Sequence, residues 1–316
     1  MNSKKLWSIG GGKGGIGKSI FTLGLGITLA QMGKKIILID ADLGGANLHT
    51  LMGVRYPSYT LEDFILKRVD RLEDIIIETQ VEGIGLICGA DDIMGAANPK
   101  FAQKIRLLNQ LEDLPADLVL LDLGAGTSFN VLDFFNYSAG KIAVFTNQST
   151  SLQNVYGFIK SALFRFLSRE FSRDDGMLLL LQQAGSRLAK LHSMEDILNH
   201  LQNKDAEKYA RLKQILDRFE IFFVVNMVKS ELDRKAAQVI QKVCQDFLNL
   251  QPQIFGTLAY DPEVEKAVNQ MLPFPTRSQN SPAALGLQHI AVQVLKEAKL
   301  VDTTSAPPLA ATGAWG

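Results

Sequence analysis

The chain has 316 residues, 47% of them hydrophobic, and its 33 basic side chains are balanced by 33 acidic ones. This length and apolar content supply a large core, either in one big α/β domain or in two smaller ones. A formal charge of zero argues against a protein that coats nucleic acid with its whole surface, and leaves only a local patch for such contact.

Cys88 and Cys244 show no pairing pattern and sit in apolar surroundings, so they read as buried thiols in a reducing compartment. The opening "MNSKKLWSIGGG" has a basic start, but neither the apolar stretch nor the cleavage site of a signal peptide. Apolar runs such as 20–32 are interrupted by glycines and polar residues and fall short of the roughly 20 residues that span a bilayer. A soluble, cytoplasmic protein is expected.

In chain order, "KLWSIGG" predicts a first strand, followed by a helix over Gly17–Met32. Strands are expected at Lys35–Asp40, Gly83–Gly89, Asp117–Leu123, Lys141–Asn147, Glu220–Val228 and Ile254–Tyr260. Helical patterns fall at Pro99–Leu111, Leu152–Leu167, Ser230–Leu248 and Pro282–Lys299. The strand runs are apolar without alternation, which means that both faces are covered, as in a parallel sheet. The alternation of elements predicts an α/β, doubly wound fold with helices on both faces of a mostly parallel sheet.

Residues 168–219 break this rhythm. Their one candidate strand is "MLLLLQ" at Met177–Gln182. Leu188, Leu191, Ile197, Leu198, Leu201, Leu212, Ile215 and Leu216 recur at helical spacing, which reads as an inserted helical pair. It is either a surface insertion packed on the sheet or a partner-binding face. The expected layout is one domain over 1–299 with this insertion, then a disordered tail over 300–316.

The stretch "GGKGGIGKS" satisfies G-x-x-x-x-G-K-[ST] through Gly12, Gly17, Lys18 and Ser19. Glycines let successive backbone N–H groups converge on phosphate oxygens, and the helix that follows adds its positive end. The contacting run is Gly12, Lys13, Gly14, Gly15, Ile16, Gly17, Lys18, Ser19 and Ile20. Lys18 reaches the β- and γ-phosphates, and the Ser19 hydroxyl suits Mg²⁺. Two further strands end in acids: Asp40 and Asp42 in "ILIDADLGGANL", and Asp122 in "LVLLDLGAGTS". A carboxylate beside a phosphate loop holds a magnesium ion through its water shell.

Together these motifs resemble the MinD/ParA family of dimeric P-loop ATPases. "KGGIGKS" looks like that family's deviant phosphate loop, "DADLGGANL" its first switch and "DLGAG" its second. "LLDLGAGTS", "VVNMVKS" and "YDPEVEKAVNQMLPF" are similar to flagellar-number regulators of the FlhG/FleN type. The resemblance implies a slow ATPase and an ATP-dependent homodimer that works with an unidentified protein partner or activator. It implies that Lys13 crosses the dimer interface to the partner's phosphates and that Asp42 positions the attacking water. Ser19, Asp122 and, at one remove, Asp40 would serve the magnesium ion. Asn226 would contact adenine, and Ala259, Asp261 and Pro262 would line the base pocket.

ATP is expected over GTP on separate grounds. Guanine recognition by N-K-x-D needs an acid that Asn226-Met227-Val228-Lys229 lacks. One departure from the resemblance is the loop Asn147-Gln148-Ser149-Thr150-Ser151, where the relatives carry Pro-Glu. A second is the tail, which has no basic residue after Lys299 and Trp315 as its only bulky aromatic, so stable membrane anchoring by this end is not expected. The competing functions are a ParA-like DNA-partitioning ATPase, against which the neutral charge argues, and a nucleotide-binding adaptor that does not hydrolyse.

Overall fold

The computed structural model describes residues 4–42, 44–89, 101–184, 193–274 and 280–301. Its elements run β1 (Leu6–Gly10), α1 (Lys18–Gln31), β2 (Ile36–Ala41), α2 (Leu48–Leu51), α3 (Leu61–Ile65), β3 (Ile77–Glu78) and β4 (Ile84–Ile87). They continue with α4 (Phe101–Leu111), β5 (Leu118–Leu123), α5 (Phe129–Tyr137), β6 (Gly140–Phe145), α6 (Ser149–Glu170), α7 (Asp175–Ala184), α8 (Met194–Lys204) and α9 (Ala206–Arg218). The last are β7 (Phe222–Val228), α10 (Glu231–Arg234), α11 (Ala236–Leu248), β8 (Gln253–Ala259), α12 (Pro262–Asn269) and α13 (Pro282–Glu297).

The strands form one sheet in the order β3-β4-β2-β5-β1-β6-β7-β8, parallel throughout except for the β3–β4 pair. Consecutive side chains on a strand point to opposite faces, and here both faces are buried. Trp7, Ile9, Leu38, Leu120 and Val144 share one core with Leu25 and Leu29 of α1 and Leu287 and Ile290 of α13. Leu6, Ile39, Leu121, Phe145 and Val225 share the other with Phe134, Phe158, Leu163 and Ile240. The doubly wound α/β expectation is met. It places the carboxyl ends of β2, β5 and β1 side by side, so the loops that follow them meet at one edge of the sheet.

One element corrects the sequence reading: Met177–Gln182 is helical, within α7. Leucine is not branched at Cβ and favours helix, and the Asp174 carboxylate accepts the Met177 N–H at the helix start. Met177, Leu180 and Leu181 are buried at i, i+3 and i+4, while Leu179 is exposed. Around it, Ile197, Leu198 and Leu201 of α8 and Leu212, Ile215 and Leu216 of α9 join the core under α6. Leu188 and Leu191 lie outside the described residues, as do 302–316 of the expected disordered tail. The pattern over Ser230–Leu248 divides at Lys235 into α10 and α11. Among the described residues no helix is long and apolar enough to cross a membrane.

Candidate functional site

The loop between β1 and α1 is shaped by glycine where no other residue fits. Gly15 and Gly17 hold φ of 74° and 81°, in the left-handed region. A Cβ on Gly12 would lie 2.0 Å from the Asn154 carbonyl oxygen on α6, so the loop rides directly on that helix. Gly17 caps α1 with no side chain, and no acid stands in the helix's first turn. The positive end of α1 is therefore free to meet an anion.

Lys18 opens α1 and is buried, with its Nζ 3.5 Å from the Lys13 carbonyl oxygen. Burial lowers its affinity for the proton below that of an ordinary lysine, against the pull of Asp122 and Asp42. Its ammonium is held in a dry site at the edge of the phosphate loop, where electrostatic attraction is strong. Ser19 follows it, half-buried.

Asp40 and Asp122 are register partners on β2 and β5, and both are buried. Asp40 accepts backbone N–H groups from Asn47 at 2.7 Å, Leu48 at 2.9 Å and Asp42 at 3.2 Å. Its carboxylate therefore folds the loop that carries Asp42 back over the strand end. Asp122 accepts the Thr22 hydroxyl at 3.1 Å and is hydrogen-bonded by Ser19. Burial, and then the neighbouring Asp40 charge, push its carboxyl up to about 7, against those hydrogen bonds and the Lys18 ammonium. The pair has more negative charge than the site neutralises, which is the condition that draws in a cation. Among the described residues no three acids, histidines or cysteines form a metal cage on their own. Magnesium tolerates that, since it keeps several waters and takes substrate phosphates as ligands. Ser19 and Asp122 fit such an ion.

The two switch-like loops touch each other and the phosphate loop. A Cβ on Gly124 would lie 2.8 Å from Asp42 Oδ1, so glycine is needed for Asp42 to lie across that loop. Gly126, at φ 89°, donates its N–H toward the Gly11 carbonyl at 3.4 Å. Lys13 points elsewhere: its Nζ meets the Thr150 hydroxyl at 3.1 Å, at the start of α6. The loop before α6 is tied to the far side of the site by Asn147, whose amide donates to Asp233 Oδ1 at 2.7 Å. Asp233 in turn accepts the Lys229 and Ser230 N–H groups after β7.

Beside the phosphate loop lies a cavity of about 280 Å³, whose wall includes Ile20, Phe21, Asn226, Met227, Leu258 and Ala259. A mostly apolar slot of this kind accepts a planar base. Asn226 donates from Nδ2 to the Ile16 carbonyl at 2.8 Å and accepts the Met227 N–H at 2.9 Å. It thus fixes the loop as well as edging the cavity. Met227 adopts φ 57°, an irregularity in the β7–β8 pairing that turns its side chain into the wall. Asp261 is buried and caps two helices, accepting the Glu263 N–H at 3.0 Å and the Ala283 N–H at 3.3 Å. Pro262, expected in the wall, is the exposed first residue of α12 and does not line the cavity.

The fold brings Gly12 to Ile20, Asp40, Asp42, Asp122, Asn226, Ala259 and Asp261 to one edge of the sheet. Sequence reasoning missed Thr22, Phe21, Met227, Leu258 and Leu287. Thr22 alone carried a signal, because it lies one helical turn after Lys18 and its hydroxyl meets both the Lys18 carbonyl and Asp122.

Comparison with known proteins bears on this edge. Residues 7–274 match the CobQ/CobB/MinD/ParA nucleotide binding domain. The chain is 27% identical over 278 residues to the antiactivator FleN of Pseudomonas aeruginosa, covering 86% of this chain and 89% of that one. It is 32% identical over 161 residues to the flagellum site-determining protein YlxH of Helicobacter pylori, covering 49% and 53%. Among solved structures, the septum site-determining protein MinD of Pyrococcus horikoshii, complexed with Mg-ADP, superposes with a TM-score of 0.64 at 22% identity. That superposition covers 94% of this chain and 98% of the other.

Proposed function

The chain belongs to the CobQ/CobB/MinD/ParA nucleotide-binding family, and from that premise we propose that it is an ATP-hydrolysing, dimer-forming switch of the MinD/ParA type. The observation that carries this reading is the division between its two lysines. Lys18 is buried at the mouth of its own phosphate loop, whereas Lys13 is turned out toward Thr150, available to a second subunit. The likeness to FleN and to YlxH favours the number or placement of flagella as the regulated feature. The unit that switches is read as residues 1–299, with 168–219 as its helical insertion.

In this reading the loop N–H groups and Lys18 grip the phosphates, and the apolar cavity takes adenine. Of the two acids in the cavity wall, Asp261 is engaged by backbone N–H groups, while Glu265 accepts the Tyr260 hydroxyl at 3.3 Å on one of its oxygens. The support for ATP over GTP is the strand end Asn226-Met227-Val228-Lys229, which lacks the acid that guanine's N1 and N2 protons need in N-K-x-D. Ser19 and Asp122 would hold Mg²⁺, which neutralises charge on the phosphate oxygens. Asp42, held across Gly124, orients water toward the γ-phosphate. Phosphoryl transfer needs little covalent help, so catalysis is a matter of position and charge. A lysine from the partner supplies the last positive charge, as an arginine finger does elsewhere for a gain of about 10³ to 10⁵.

The test is ATP turnover per subunit against protein concentration. It should rise steeply as dimers form, and Lys13→Ala should abolish the rise while leaving ATP binding by the monomer intact. Turnover per subunit independent of concentration, and untouched by Lys13→Ala, would refute the reading. Asp42→Ala loaded with ATP should trap the dimer with its protein partner, and recovery of flagellar components would support the cellular role.

A further inference from the structure

We propose that Thr150 is a positioning residue that holds Lys13 at rest in the monomer and must release it when the dimer forms. The proposal rests on the trans role of Lys13 given above and assigns a part to a loop that departs from its relatives. Gly12 packs on Asn154, so closely that no side chain could stand between them. Thr150 lies four residues before Asn154, one turn along the same face of α6. The residue after Gly12 is therefore delivered to the residue one turn up the helix, and Lys13 Nζ stands 3.1 Å from the Thr150 hydroxyl.

The chemistry of the resting place sets the strength of the hold. From Thr146 to Ser151 the loop carries no charged side chain. Lys13 thus rests on one neutral hydroxyl near the surface and not on a carboxylate. A contact of this kind is worth a twofold to tenfold shift in an equilibrium, by the usual net value of about 0.5–1.5 kcal/mol per hydrogen bond. The loop itself is braced without Lys13: the Thr146 N–H donates to Ser151 Oγ at 3.0 Å and Asn147 is tied to Asp233. Lys13 can leave Thr150 without unravelling the start of α6. The latch is weak and local, and it opposes only the step in which Lys13 crosses to another subunit.

The experiment measures the monomer–dimer constant by sedimentation of the full chain with Mg²⁺ and a non-hydrolysable ATP analogue. Thr150→Val keeps the shape and removes the hydroxyl. Each dimer frees two lysines, so the per-contact factor is squared: the variant should tighten the dimer about fourfold to hundredfold and leave analogue affinity at monomeric concentrations unchanged. Thr150→Ser should return both to the starting values, and Thr150→Val added to Lys13→Ala should behave like Lys13→Ala alone. An unchanged or weaker dimer in Thr150→Val, with Lys13→Ala still unable to dimerise, overturns the latch alone. A normal dimer in Lys13→Ala overturns the trans-lysine reading beneath it.

Discussion

Asp122 and Asp133 are both buried acids, and they are treated oppositely. Asp133, on α5, is surrounded by three cations: Lys104 at 2.6 Å, Arg165 at 2.9 Å and Arg169 at 2.9 Å. Burial alone would raise its carboxyl, but hydrogen bonds from Arg165 and Lys104 and the charge of Arg169 hold it below the ordinary carboxylate range. Asp122 has one buried lysine nearby and a second acid as its register partner, and it is pushed up to about 7. The first is a finished ion cluster that ties α4, α5 and α6 together. The second is unfinished, and lies where an incoming cation and phosphates would complete it. Asp133 is thus compensated as a structural tie, while the under-compensated Asp122 is what the proposed nucleotide site would use.

The largest effect that tests this contrast is Asp133→Ala. Removing the shared partner leaves Lys104 almost buried with no counter-charge, and should cost about 3–5 kcal/mol in urea unfolding. Nucleotide affinity of the folded protein should be unchanged; a loss of less than about 1 kcal/mol would show that the cluster is no tie at all.

The pH dependence of the unliganded protein comes next. Asp122 binds its proton more tightly folded than unfolded, since its folded value of about 7 stands above the unfolded one of about 4. The folded state therefore holds the extra proton between those values, and stability should rise as pH falls from about 7 to about 4, by at most about 1.4 kcal/mol per unit. Asp133 has the opposite sign. Its stabilisation is present above the unfolded value and lost as pH falls below about 4 toward the depressed folded one. Thermal melts against pH should thus pass through a maximum near the low end, and Asp122→Asn should flatten the upper limb only.

Asp122→Asn should also weaken Mg²⁺-dependent nucleotide binding about 10–100-fold by titration calorimetry, without lowering the melting temperature. A cost to stability comparable to that of Asp133→Ala would erase the distinction. The smallest effect belongs to Arg169→Gln. Its side chain is 38% exposed and Asp133 keeps two other cations, so the cost should be under about 1 kcal/mol.

The sequence displays the working region better than the structural one. The glycine spacing of 12–17 and the strand-end acids Asp40, Asp42 and Asp122 are local patterns, each readable within a dozen residues. The Asp133 cluster joins side chains 29 and 32 positions away on other helices, and nothing local announces it. The base cavity fails to show for the same reason, since Phe21, Met227, Leu258 and Leu287 come from four separate elements. Strands were legible because a parallel sheet buried on both faces writes continuous apolar runs. That same rule misled at Met177–Gln182, where unbranched leucines and the Asp174 cap made a helix. Asp40 was legible as a strand-end acid, yet its three backbone partners, which shape the loop of Asp42, depend on a turn the spacing does not specify.

The seating of Gly12 on Asn154 has a mechanical side. The contact lies just inside the start of helix α6, which runs on from Asn154 to Glu170, about 24 Å at the usual rise, to the layer formed by α7, α8 and α9. A stiff rod seated near one end on the phosphate loop converts a small tilt into a large displacement, so about 5° at the near end moves the far end by about 2 Å. The glycine loop and the helical layer at the other end of α6 are thus two ends of one lever, with no room for even a methyl group at its fulcrum.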